Sequence, residues 1–251
     1  MDATTSWNPE SYAKNARFVS DLGEPLLKLL APQTGETILD LGCGDGALTE
    51  KVATTGCIVY GADASFAQIQ AARRRGLNTF VMDARQPALR RTFDAVFTNA
   101  VLHWIRPPDR VVEGIAQCLK PAGRFVGEFG GKGNVEAIRT ALHAALRKRG
   151  IDPAPVDPWY YPSSQQYAKL LRAFGFTVAS IELISRPTKL PGDITDWLEV
   201  FAQPFTNSIN PAERAPYLDE IRRALAPTLR KTDGTWVADY VRLRFMAIAP
   251  S

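Results

Sequence analysis

Three acids stand at the ends of three apolar runs. Asp40 follows Ile38-Leu39, Asp63 follows Ile58-Val59-Tyr60-Gly61-Ala62, and Asp83 follows Phe80-Val81-Met82. Short continuous apolar runs read as buried parallel strands. Three such strands ending at acids bring three carboxylates to one edge of a sheet, the edge where open α/β sheets bind ligands. Directly after Asp40 comes Leu41-Gly42-Cys43-Gly44-Asp45-Gly46, then a helix-compatible segment over 47–53. Glycines let the chain turn without Cβ clashes and let a ligand lie on the main chain. The helix start offers unpaired N–H groups to that ligand. The spacing is G-x-G-x-G, not the G-x-G-x-x-G of dinucleotide binders. Asp63 lies at about the 20-residue offset where a carboxylate accepts from both ribose hydroxyls in such folds. The chemistry these residues suit is recognition of a nucleoside.

The elements that must position them follow from periodicity. Strand-like runs near 36–41, 57–62, 78–82, 93–99 and 122–128 alternate with helix-like segments near 46–54, 65–75, 85–90 and 108–119. Such alternation means βαβ units around a parallel sheet, with right-handed crossovers. Upstream, Asn8 can cap a helix that begins at Pro9, and 18–30 is amphipathic. After Gly130-Gly131 the alternation breaks. A helix over 135–149, a Pro-rich loop over 152–158, a Ser163-capped helix over 164–173 and a strand over 176–185 are predicted. Two more helices, 193–203 and 211–226, precede a long final strand over 236–249.

The runs Leu39–Gly46, Gly61–Ser65, Asp83-Ala84 and Phe93–Ala100 together resemble the class I S-adenosylmethionine (SAM) methyltransferases over roughly residues 35–130. The resemblance implies an α/β fold: a Rossmann-like, seven-stranded, mostly parallel sheet with an antiparallel last strand, plus a helical lid. It implies a single domain over 1–251, with a core of roughly 33–130, 163–186 and 235–251 and a lid from 1–32, 131–162 and 187–234. SAM is the implied cofactor. Asp63, followed by Ala64, is expected on the ribose. Asp40 is expected to orient the Gly loop or to reach the ammonium, while Gly42 and Gly44 give backbone approach. Asp83 and Ala84 match the position beside adenine, and Asn99 and Ala100 the position facing the sulfonium. The sequence Asn99-Ala100-Val101-Leu102 departs from the Asn/Asp-Pro-Pro-Tyr/Phe of nucleic-acid and protein-amide methylators.

The segment Asn99–Ile105, with His103-Trp104, resembles the Asn-Ala-x-Leu-x-Trp of trans-aconitate methyltransferases. Leu-x-Trp runs also mark malonyl-carrier-protein and juvenile-hormone-acid methyltransferases, and all three families esterify a carboxylate. Trp7–Tyr12 and Thr195-Asp196-Trp197 extend the likeness. Trp104 is thus a candidate catalytic and substrate residue, because an indole N–H donates without accepting. His103 is the second catalytic candidate: a positioning or surface residue for a carboxylate acceptor, which is already ionised, and a base for an alcohol or phenol. Tyr12, Arg17 and Tyr160 are further substrate candidates, within a Trp159-Tyr160-Tyr161 cluster, and His143 reads as structural. The expected function is SAM-dependent carboxyl O-methylation of a small molecule. The alternatives are N-, C- or phenolic O-methylation in natural-product biosynthesis, or malonyl-carrier-protein methylation.

Composition bounds the rest. Lys plus Arg number 30 against 26 Asp plus Glu, a net charge of +4 that is too mild to argue for nucleic acid. Arg73–Arg75 and Arg147–Arg149 end helix-like segments, where cations suit the macrodipole. Cys43, Cys57 and Cys118 lack metal-ligand spacing, so free thiols and no metal are expected. No signal peptide or membrane span is read, which makes a cytoplasmic enzyme the expectation. Its expected partner is a small or carrier-bound acceptor, with the chain a monomer or homodimer.

Overall fold

A computed structural model describes residues 24–86, 89–90 and 92–251. The apolar runs form β1 (Thr37–Leu41), β2 (Ile58–Asp63), β3 (Asn78–Val81), β4 (Phe93–Asn99), β5 (Leu119–Gly130), β6 (Thr177–Lys189) and β7 (Val237–Ile248). They build one seven-stranded sheet in the order β3-β2-β1-β4-β5-β7-β6. β1, β2, β3, β4 and β5 are paired in parallel, and β7 runs antiparallel between β5 and β6. The strand order reverses at β1, between β2 and β4, and this switch point opens a crevice at the carboxyl ends of the strands.

Helices cover both faces. On one, α1 (Glu24–Leu30) and α2 (Ala47–Ala53) pack Leu26, Leu30, Leu48 and Val52 onto Ile38, Phe97 and Val126. On the other, α4 (Pro108–Cys118) and α6 (Ser164–Ala173) bring Val111, Ile115, Tyr167 and Leu171 onto Val96, Phe125 and Phe245. The helix α3 (Phe66–Arg74) follows β2 and is capped by Ser65, whose hydroxyl accepts from Gln68 N–H at 3.4 Å.

A third apolar cluster is helical. It joins α5 (Glu136–Arg147), α7 (Ile194–Phe201), the short α8 (Gln203–Asn207) and α9 (Arg214–Leu229) through Leu142, Trp197, Phe205 and Tyr217. Asp193 ties this layer to the sheet. It caps α7, accepts from Arg222 of α9 at 2.9 Å, and accepts from the Trp236 indole before β7 at 3.1 Å.

Several boundaries differ from expectation. Residues 85–86 and 89–90 are not helical, because Pro87 follows Gln86 and a residue before proline is pushed out of the α region. The helix expected over 193–203 stops at Phe201, and Pro204 sits in the first turn of the short helix that follows. Strand β5 begins at Leu119 rather than 122, and β6 runs on to Lys189 because β7 offers a full antiparallel partner. Among the described residues no helix is long and apolar enough to cross a membrane. The helix expected from Pro9, the first part of the 18–30 segment, and the candidates Tyr12 and Arg17 lie outside the described residues.

Candidate active site

The crevice at the switch point deepens into a cavity of about 780 Å³. One end is the glycine turn. Gly42 and Gly44 adopt φ of +77° and +56°, left-handed values that disfavour a side chain. A Cβ on Gly42 would overlap the Val101 side chain, so the turn presses on the loop after β4. A Cβ on Gly44 would meet nothing and would project into open space. Asp63 braces the turn: its carboxylate accepts from Gly44 N–H at 3.0 Å and from Ser65 N–H at 2.8 Å. Burial raises its pKa above the ordinary carboxylate value, against those two bonds.

Asp40 sits beneath. It is buried and accepts from the Thr49 hydroxyl of α2 at 2.6 Å. Burial, with Asp63 nearby, pushes its carboxyl up to about 7. Cys43 is buried between the acids, and burial raises its thiol pKa, so it stays an uncharged packing residue. Asp83 is half exposed and accepts twice from the Arg85 guanidinium, at 3.1 and 2.8 Å, which lowers its pKa. Ala84, Asn99 and Ala100 line the same cavity, with Ala100 at φ +60°.

The other end is aromatic. Trp104, Trp159, Tyr161, Trp197, Phe201 and Tyr240 all face the cavity. Trp159 stacks on Tyr161 at 5.8 Å and Trp104 on Phe201 at 6.5 Å between ring centres. Asp157 places Trp159 by accepting from its N–H at 3.1 Å, and is itself held by Arg139 at 2.6 Å and His143 at 2.9 Å. His143 is thus structural, as expected. Gly130 admits the close packing of Tyr161 and Asn134, since a Cβ there would come within 2.5 Å of the Tyr161 ring.

Among the described residues one buried cation stands in this wall. Arg242, on β7, is 6% exposed and lies over the Tyr240 ring at 4.8 Å. Among the described residues it forms no ion pair and no hydrogen bond, although its strand neighbour Arg244 is paired to Glu128 at 2.7 Å. A buried guanidinium without an acid is costly unless something else supplies the anion.

His103 is buried next to it, not at the surface. Its Nδ1 accepts from Gly130 N–H at 3.2 Å, which leaves the ring proton on Nε2. Burial, and then the Arg242 charge, holds its pKa well below 6.5, so the ring is neutral. Tyr160 does not line the cavity. Successive side chains of an extended segment alternate, so Trp159 and Tyr161 face inward while Tyr160 packs on Leu102, Ile105 and Tyr167. Sequence reasoning missed Asn134, Phe201, Tyr240 and Arg242. For the last two a signal existed: Tyr240 and Arg242 stand at alternate positions of the final strand, and so on one face.

The methyltransferase domain family matches residues 12–181 of this chain, more than half of its length. The chain belongs to that family. It is 38% identical to an uncharacterized methyltransferase of Schizosaccharomyces pombe over 96% of this chain and 97% of that protein. Trans-aconitate 2-methyltransferase of Rhodococcus jostii is 26% identical over 96% of this chain and 98% of that one. In fold, phosphoethanolamine N-methyltransferase 2 of Haemonchus contortus, solved in complex with S-adenosyl-L-methionine, superposes with a TM-score of 0.58 at 17% identity, covering 98% of this chain and 61% of that chain. This methyltransferase uses S-adenosyl-L-methionine as its methyl donor.

Proposed function

We propose that this methyltransferase esterifies the carboxylate of a small organic acid. The observation that carries the reading is Arg242, a buried cation in the acceptor wall with no acidic partner among the described residues. A carboxylate completes it through a charge-assisted, bidentate pair. The trans-aconitate relative, whose substrate is by its name an acid, supports the same choice.

The cofactor end fits SAM. The space above Gly44 leaves room for a ligand against the main chain. Asp63, already oriented by two backbone donors, keeps lone pairs for the ribose diol, with Ala64 beside it. Asp40 would balance the cofactor's ammonium, Asp83 and Ala84 would flank the adenine, and Asn99 and Ala100 would border the sulfonium. When bound, SAM supplies an electrophilic methyl whose C–S pair returns to sulfur as one C–O bond forms on the acceptor.

The chain's own residues align and dehydrate the acceptor. Arg242 holds the carboxylate, and the aromatic wall of Trp104, Trp159 and Phe201 excludes water. A carboxylate is ionised at neutral pH and needs no base. That suits His103, whose Nδ1 lone pair is already engaged and whose Nε2 offers only a donor. The same geometry disfavours a phenol or protonated amine: there is no free imidazole lone pair, and a buried guanidinium repels a second cation.

The test uses methyl-labelled SAM and a panel of organic acids, phenols and amines. Label released as volatile methanol after alkali is the expected result. Alkali-stable label on a phenol or amine would overturn the reading.

A further inference from the structure

The helix that leaves Asp63 begins with half a cap. Ser65-Phe66-Ala67-Gln68, at the start of α3, is an S-x-x-Q pattern. In that pattern the serine hydroxyl accepts from the glutamine N–H, and the glutamine amide oxygen accepts from the serine N–H in return. The first bond is present, from Gln68 N–H to Ser65 Oγ at 3.4 Å. The second is not, because Ser65 N–H donates to Asp63 Oδ1 at 2.8 Å instead. The same chain completes the motif at the start of α6. There Ser163 Oγ accepts from Gln166 N–H at 3.2 Å, and Gln166 Oε1 accepts from Ser163 N–H at 2.8 Å. Asp63 has thus taken from Gln68 the partner that Gln166 keeps.

The displaced side chain does not turn to solvent. Gln68 is 4% exposed, and its Oε1 is buried with no hydrogen-bond partner among the described residues. It lines the cofactor end of the cavity with Gly44, Asp63 and Ala64. Helix geometry puts it there. Ala72 lies 3.1 Å from where a Cβ on Gly46 would stand. Side chains four residues apart share a helix face, so Gln68 faces the glycine turn one helical turn nearer Asp63. A buried carbonyl without a donor is costly, and a ligand that brings the donor removes the cost. Both Asp63 oxygens already accept a backbone N–H, from Gly44 and Ser65, so an added acceptor beside them has work to do. Resting on the placement of the SAM ribose at Asp63, we propose that Gln68 is a second ribose-binding residue, its Oε1 joining Asp63 as acceptor for one of the two hydroxyls.

The experiment measures, by calorimetry on the full chain, the affinity of S-adenosylhomocysteine and of its 2′-deoxy and 3′-deoxy analogues for wild type and Gln68→Met. The variant is expected to bind S-adenosylhomocysteine about fivefold more weakly. That penalty should shrink below about twofold with at least one deoxy analogue, because the hydroxyl concerned is gone. The ligand-free variant should melt no lower than wild type, since it exchanges an unpaired buried carbonyl for an apolar group. A penalty below about twofold with S-adenosylhomocysteine, or one that persists with both analogues, overturns the inference alone. An affinity loss accompanied by a lower melting temperature makes Gln68 a packing residue and also overturns it. Deoxy analogues that both bind wild type as tightly as S-adenosylhomocysteine overturn the ribose placement as well.

Discussion

At one end of the cavity, Gly42, Gly44 and Asp63 meet through backbone geometry: left-handed glycines, a strand end, and a carboxylate that accepts two main-chain N–H bonds. At the other end, Trp104, Trp159, Phe201 and Arg242 come from four separate segments and meet only through side-chain packing. The first end suits a ligand whose polar groups never change. The second is a largely aromatic wall with, among the described residues, one buried cation that has no acidic partner, so a few substitutions there can change the acceptor without touching the fold. The contrast teaches that methyl-donor binding and acceptor choice should be separable by mutation.

The largest expected effect lies at the donor end. Asp63→Ala removes a charge-assisted acceptor for two ribose hydroxyls and frees Gly44 N–H, so SAM affinity should fall by about 100-fold or more. Calorimetry with SAM measures this, and a loss below tenfold would remove Asp63 from the ribose site. Next, Arg242→Gln should raise the acceptor KM about 30-fold while SAM binding holds. Equal losses of both affinities would erase the distinction between the two ends.

A third substitution acts through positioning. Asp157→Ala strips Arg139, His143 and Trp159 N–H of their shared acceptor, and should lower stability by about 2–3 kcal/mol. Acceptor KM should rise as Trp159 loosens, with SAM affinity unchanged. Thermal melts and a KM-against-kcat split report both parts, and an unchanged KM would confine Asp157 to a structural role.

The smallest effect, taken per unit of pH, is a slope at the donor end. Burial lifts Asp40 from 3.8 to about 7, so the folded chain keeps a proton there that the unfolded chain has lost. The ligand-free protein should therefore lose stability as pH rises between about 4 and about 7, by up to about 1.4 kcal/mol per unit. A cofactor cation beside Asp40 favours the ionised form. SAM affinity should then strengthen with rising pH and flatten above about 7. Calorimetry across that window, with Asp40→Asn as control, tests the slope, and a slope that survives in the variant would exonerate Asp40.

Much of this molecule is written in local sequence. The runs ending at Asp40, Asp63 and Asp83 and the glycines between Leu41 and Ala47 specify strand, turn and helix start within a few residues, because φ above zero and strand period are local properties. The mostly parallel sheet follows from that pattern, while the antiparallel last strand and the methyl donor are what the resemblance to the class I methyltransferases implies; the structure bears out the sheet, and the family match supports the donor. Trp104 was visible too, since it stands five residues beyond Asn99 in a recognisable run.

What only the tertiary structure decided is which side chains share the acceptor end. Trp159 and Tyr161 face the cavity while Tyr160 does not, an outcome set by how the loop docks on α4 and α6. Arg242 reads in sequence as one of several arginines. Its meaning appears only when Arg244 is seen paired to Glu128 and Arg242 is left facing the rings. Local backbone preferences act over a few residues and can be read directly. The company a buried charge keeps depends on chain segments more than 100 residues apart, such as Asn134 meeting Val241, and packing alone brings them together.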